Sequence, residues 1–184
     1  MGMNRVQFQR GLSMAQFDRL YGTQELCEQA VRRWRWPEGF SCPKCGSGQR
    51  TEFRRGQLLY LQCGRCQYQC SLIAGTIFAS TKLPLKTWFL AMHFLTKAKT
   101  SISALELSRD LDVSYRSAWL VKHKLMETMR LRESTRQLSG RVEIDDAFLG
   151  GQISGGTPGR GSPNKVPFVA AVQTTEAGQA VRVC

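Results

Sequence analysis

Two cysteine pairs constrain this chain more than any other feature. Cys42-Pro-Lys-Cys45 and Cys63-Gly-Arg-Cys66 are CxxC pairs separated by seventeen residues, a spacing typical of zinc sites. Two thiolates three residues apart on a tight turn can face one ion, and a second such turn completes a tetrahedron. Gly46 after the first pair and Gly64 inside the second are expected to ease those turns. The reading is a structural Zn2+ held by Cys42, Cys45, Cys63 and Cys66, with a disulfide pair or free thiols as the alternative. Four protein ligands close the coordination sphere, so such an ion is not catalytic. Cys70 breaks the spacing and reads as a buried spare thiol, and Cys27 and Cys184 as structural or incidental. His93 and His123 fall in helical stretches and are not needed as ligands.

Around this centre the chain changes character several times. Residues 1–36 read as a helical lead-in, with GTQELCEQAVRRWRW at helical spacing and Pro37 and Gly39 ending it. Residues 37–82 form the ribbon, with strands expected at Thr51–Arg54 and Leu58–Gln62. Residues 83–136 return to helix. Pro84 sits where a first helical residue would be, and Leu85, Trp88, Phe89, Met92 and Leu95 make an apolar face. Ser103 and Glu106 read as a capping box, Asp112 and Val113 as a tight turn, and Ser114 as the cap of a third helix. Short helix, tight turn and basic helix make the helix-turn-helix pattern. Tyr115, Arg116 and Ser117 would then approach base edges, and Lys122, Lys124 and Arg130 would meet phosphates. The alternative is a plain three-helix bundle with a solvated basic face.

Charge supports a polyanionic partner. The formal net charge is +12, and it is uneven: residues 1–141 carry 23 Lys+Arg against 10 Asp+Glu, whereas residues 142–184 carry 3 against 4. The start MGMNRVQFQR has no signal-peptide core, and LKTWFLAMHFL is too short to span a bilayer. A cytoplasmic, nucleoid-associated protein with no membrane partner is expected. Residues 140–184 read as β: VEIDDAFL, a glycine-rich loop expected to be disordered over Gly150–Gly161, KVPFVAAVQT, a turn and QAVRVC. The first of these strands carries Glu143, Asp145 and Asp146. Alternation puts Glu143 and Asp145 on one face and Asp146 on the other. Acids in a strand are costly unless exposed or opposed by a cation. A solvated strand end and a metal-binding strand both remain open on these residues.

The succession WPEGFSCPKCG, CGRCQYQCSLIAGTIF, LPLKTWFLAMHFLTKAKTSISALELSRDLDVSYRSAWLVKHKL and VEIDDAFLGG resembles the zinc-ribbon, DDE-type transposases of bacterial insertion sequences, the ISXO-type group. The resemblance covers nearly the whole chain. It implies an α+β protein: a four-cysteine zinc ribbon, a helix-turn-helix three-helix unit, and over 140–184 the first strands of a ribonuclease-H-like DDE domain. It implies binding to double-stranded transposon-end DNA and association with a second copy or an intact transposase. It also implies Asp145 as the first acid of a Mg2+ site that cuts and joins DNA. The family usually has Asp-Glu where this chain has Asp145-Asp146. Two further acids come from later elements in the family, and after Asp146 this chain has only Glu176. The expectation is an N-terminal portion of such an enzyme, or one segment of an interrupted gene, inactive in cleavage by itself. The competing readings are a non-enzymatic zinc-ribbon and helix-turn-helix regulator, and an RNA-binding zinc-ribbon protein.

Overall fold

The computed structural model describes residues 11–98, 101–135, 137–150, 162–176, 178 and 180–183, the last four as backbone only. The chain divides into two compact units, one running from Gly11 to Met129, the other taking in the residues from Arg130 onward.

The lead-in is two helices rather than one: α1 (Met14–Tyr21) and α2 (Gln24–Arg35). Ser13 and Gln16 form a reciprocal capping box that starts α1. Gly22 closes α1, and Thr23 caps α2 by accepting from the Leu26 N–H. Three strands follow: β1 (Arg50–Arg55), β2 (Leu58–Cys63) and β3 (Gln69–Ser71), antiparallel in the order β1-β2-β3. The short β3 had no period-2 signal of its own. It forms because β2 offers it a ladder, pairing Leu61 with Cys70. The β1–β2 turn is Gly56-Gln57, with Gly56 at φ 59°, the positive φ that a two-residue hairpin requires.

Three helices follow: α3 (Leu85–Lys97), α4 (Ala104–Asp110) and α5 (Tyr115–Ser134), the last running past the Met129 boundary of this unit. Pro84 stands at the cap position, one residue before the helical place expected for it. Ser103 accepts from the Glu106 N–H at 3.0 Å, so the side of the box that caps α4 is formed. The α4–α5 turn places Asp112 at φ 50° and bonds the Val113 N–H to the Ser108 carbonyl at 3.0 Å. Ser114 caps α5 through the Ser117 N–H at 3.2 Å. Leu107, Leu111, Ala118, Val121 and Leu125 are buried in the core that also holds Leu61, Leu72, Phe78 and Trp88. The apolar face of α3 is broader than its periodicity shows, since Ala91 and His93 are buried with Leu85, Trp88 and Phe89, while Met92 and Leu95 are only partly covered. No helix among the described residues is long and apolar enough to cross a membrane.

The second unit carries an antiparallel sheet of β4 (Arg141–Leu149), β5 (Val166–Thr174) and β6 (Ala180–Val183), in that order. Nine residue pairs join β4 to β5, from Arg141 opposite Thr174 to Leu149 opposite Val166. Pro167 lies where β5 has no β6 partner, as a residue without an N–H must. From residue 151 the glycine-rich loop, and at the end Cys184, lie outside the described residues.

Candidate metal centre and nucleic-acid interface

The two CxxC turns are built alike. In the first, the Gly46 N–H bonds to the Cys42 carbonyl at 2.9 Å and the Cys42 N–H to the Ser47 carbonyl at 3.0 Å. In the second, the Gln67 N–H bonds to the Cys63 carbonyl at 3.1 Å and the Cys63 N–H to the Tyr68 carbonyl at 2.9 Å. Each turn needs a left-handed residue four places after its first cysteine. Gly46 supplies it at φ 71°, and Gln67 at φ 59°. The assignment of that role to Gly64 is therefore corrected. Gly64 instead donates its N–H to the Gln49 carbonyl at 3.0 Å, and a Cβ there would press on the Gln49 side chain at 3.2 Å.

The four sulfurs converge. Cys42, Cys45, Cys63 and Cys66 place their Sγ atoms within 4.8 Å of one another, with Cys42–Cys66 and Cys45–Cys63 both at 3.6 Å. All four are free thiols. A tetrahedron with Zn–S of ~2.3 Å has edges of about 3.8 Å, so the cage fits a zinc ion. It does not fit a disulfide, whose sulfurs sit about 2 Å apart. Four thiols this close cannot all ionise without a cation. The Cys63 thiol is drawn down to about 6, first by the backbone N–H of Cys66, then, against the cost of burial, by the Arg65 N–H and neighbouring thiols. The Cys45 thiol goes the other way, to about 12: the Ser47 N–H lowers it, but burial and the thiols of Cys66, Cys63 and Cys42 outweigh that bond. A divalent ion resolves the conflict by holding all four as thiolates.

Cys70 is buried and outside the cluster, its thiol raised by burial. Cys27 is fully buried, donates to the Tyr21 carbonyl at 3.3 Å, and is pushed up to about 11 by burial. His93 is buried among aromatic rings, and His123 packs on Trp119 at 4.0 Å between ring centroids. Neither histidine joins the cluster.

The ribbon is anchored to α2 by ion pairs that sequence reading missed. Arg54 makes a two-pronged pair with Glu28 at 2.7 and 3.0 Å, and Glu28 is buried. Arg32 reaches Glu52 at 2.7 Å, and Arg35 donates to the Leu72 carbonyl at 2.8 Å. Glu28 lies in a stretch that reads as polar, and only the arrival of β1 makes it a core group.

On α5 the candidate base-reading residues Tyr115 and Arg116 are exposed, and Ser117 is half-buried with its hydroxyl against Ser114 at 3.0 Å. The candidate phosphate residues differ. Lys122 folds back to donate to the Ile102 carbonyl at 2.6 Å, and the Lys124 ammonium lies 5.9 Å from the Trp88 ring centre. Arg130 is on the exposed stretch of the helix. Trp119 and Leu120, exposed beside Arg116, extend the surface that α5 presents.

The β4 carboxylates stay dispersed. Asp145 is exposed and accepts the Asp146 N–H at 2.9 Å. Glu143 is paired with Arg141 at 3.0 Å and lies 3.5 Å from the Thr174 hydroxyl. Among the described residues the only group of three or more ligand side chains placed for one metal ion is the cysteine cage. A two-ion Mg2+ centre needs several convergent carboxylates to hold two ions about 4 Å apart, and the described carboxylates form no such group.

Comparisons with known proteins follow this division. Residues 22–69 match the model of the transposase zinc-ribbon domain, and residues 137–184 match that of the ISXO2-like transposase domain. A protein of the transposable element ISH50 from Halobacterium salinarum, itself described as uncharacterised, is 29% identical over 125 residues, which are 66% of this chain and 40% of that protein. The chain thus spans well under two thirds of the relative it matches. No solved structure matches. With two transposase domain models matched in chain order over more than half of its length, and a cysteine cage where the first of them requires one, the chain belongs to the zinc-ribbon, ISXO2-like family of insertion-sequence transposases.

Proposed function

We propose that this chain binds the ends of a transposable element as duplex DNA, through the unit that carries the zinc ribbon and helices α3–α5. The observation that carries the reading is the α4–α5 pair. A short helix, a turn with Asp112 at φ 50°, and a Ser114-capped helix place Tyr115 and Arg116 in solvent at the start of α5, where a recognition helix meets base edges. The family supports a DNA substrate, and the net charge of +12 supports a polyanion. Zinc is structural in this reading. It sets the ribbon and exposes no open coordination position. The residues from 140 onward are the opening strands of a ribonuclease-H-like nuclease domain, with Asp145 as its first acid.

The polypeptide does not by itself cut or join DNA. Its β4 carboxylates are one corner of a metal site, with Glu143 committed to Arg141. The same dispersal favours a second reading, a DNA-binding regulator with no chemistry of its own. Binding and cleavage assays separate the possibilities. Anisotropy titration of labelled duplex DNA should show affinity that falls steeply with salt. Arg116→Ala should change sequence preference more than overall affinity. An equal loss on every duplex would remove Arg116 from base reading. Cleavage by the 184-residue chain with Mg2+ or Mn2+, abolished by Asp145→Ala, would overturn the claim of inactivity.

A further inference from the structure

The sheet β1–β3 has two faces, and its buried side chains all lie on one of them. Pairing fixes which residues share a face. Leu59, Leu61, Cys63 and Cys70 face inward, and Leu61 and Cys63 are fully buried. Phe53, Arg55, Tyr60, Gln62 and Gln69 face outward, Phe53 opposite Tyr60 and Gln62 opposite Gln69. These outward side chains are organised. The Phe53 and Tyr60 rings stack with centroids 5.6 Å apart. The Arg55 guanidinium lies 5.3 and 5.1 Å from the two ring centres and donates to Gln69 Oε1 at 2.7 Å. Gln69 donates to Gln62 Oε1 at 3.1 Å, and Gln62 donates in turn to Gln67.

We propose that this outward face is a second DNA-reading surface, on which Arg55, Gln69 and Gln62 address base edges in the major groove of duplex DNA. The proposal rests on the DNA-binding reading above and adds a contact surface to it. Arginine and glutamine are the side chains that bond in pairs to guanine and adenine edges, and the major groove admits a two-stranded β-ribbon. Gln62 and Gln69 each use one N–H and one Oε1 lone pair within the row, which leaves each one N–H and one lone pair for a base. The row is fixed before DNA arrives, which lowers the entropy lost on binding. Charge is complementary as well. Glu52, the acid of β1, belongs to the other face and is bridged to Arg32 and Arg50. No carboxylate competes with phosphate among the outward residues of these strands.

The test uses the zinc-loaded 184-residue chain and a pool of randomised duplexes, from which a preferred duplex is selected. Affinity is measured for that duplex, for a scrambled duplex, and for a single strand of the selected sequence. Arg55→Lys keeps the charge and removes the planar fork. It should lower affinity for the selected duplex about tenfold or more, leave the scrambled duplex unchanged, and leave zinc content unchanged. Gln62→Ala and Gln69→Ala should relax the selected sequence at particular positions, and they decide the matter if Arg55→Lys fails to hold zinc. The proposal is overturned if these variants select the wild-type sequence with wild-type affinity, if they lose affinity equally on all duplexes, or if the single strand binds more tightly than the duplex. Failure of the wild-type chain to bind any duplex overturns the DNA-binding reading itself.

Discussion

The two sheets of this molecule are of similar size and are held together differently. The β1–β3 sheet has one face closed by the core, with Leu61 and Cys63 at 0% exposure, and the four-cysteine cage at one end. The β4–β6 sheet has a longer ladder but leaves Ile144 at 70% and Val169 at 68% exposure, with Leu149 and Val166 also exposed. Ile144 and Val169 lie on the face of Asp146, whereas Leu149 and Val166 lie on that of Asp145, so apolar side chains reach solvent on both faces. Hydrogen bonds alone contribute little net stability in water. The comparison teaches that strand pairing defines a sheet, whereas burial or a metal stabilises it.

The largest way to break the contrast is to remove the metal ligands. Cys42→Ser or Cys66→Ser should abolish zinc retention and unfold the ribbon, since binding and folding are one event in such modules, worth ~10 kcal/mol or more. Circular dichroism and zinc content check this. Next, Leu61→Ala should cost about 3 kcal/mol in urea unfolding of the first unit, because the cavity lies in packed core. The counterpart in the second sheet, Ile144→Ala, should change stability by about 0.5 kcal/mol or less. Equal costs would mean that the two sheets are supported alike.

Removing the anchor of the ribbon comes between these. Arg54→Ala leaves Glu28 buried beside Gln24 with its charge partner gone. Since the Arg54 side chain is nearly half exposed, solvent screens the pair, and the loss should be about 2 kcal/mol. A urea midpoint unchanged from wild type would contradict it.

The smallest effect is a pH slope. Burial, then Lys97, lowers the His93 pKa against the opposing pull of Asp18. The unfolded imidazole takes a proton near its ordinary value of about 6.5, where the folded one does not. The unfolded state therefore binds more protons, so this contribution is complete above that pH and is lost as pH falls below it. The urea midpoint should drop between about pH 7 and about pH 5, and His93→Phe should flatten that drop. A drop of equal size in the variant would exclude His93 as its source.

What the sequence made legible follows from locality. The cysteine cage, the Ser103 and Ser114 caps and the alternation in β4 are set by residues within a few positions, and each appears where it was expected. What was hidden depends on distant partners. Glu28 becomes a core ion pair because Arg54, twenty-six residues away, meets it. Lys122 bonds to the Ile102 carbonyl, twenty residues away, a contact that no local pattern signals. Gln67 adopts a left-handed turn in a position where glycine would be the usual signal, because its knuckle repeats that of Gly46. The outward row on the ribbon was invisible for the same reason: Arg55, Gln62 and Gln69 come together only once three strands have paired.

Hydrogen exchange with and without a chelator, paired with elemental analysis, tests the central contrast most directly. The account predicts about one zinc per chain. It predicts that chelation strips protection from amides in β1, β2 and β3 while those of β4 and β5 keep their already low protection. A chain without zinc whose ribbon amides are equally protected in the presence and absence of chelator would contradict it.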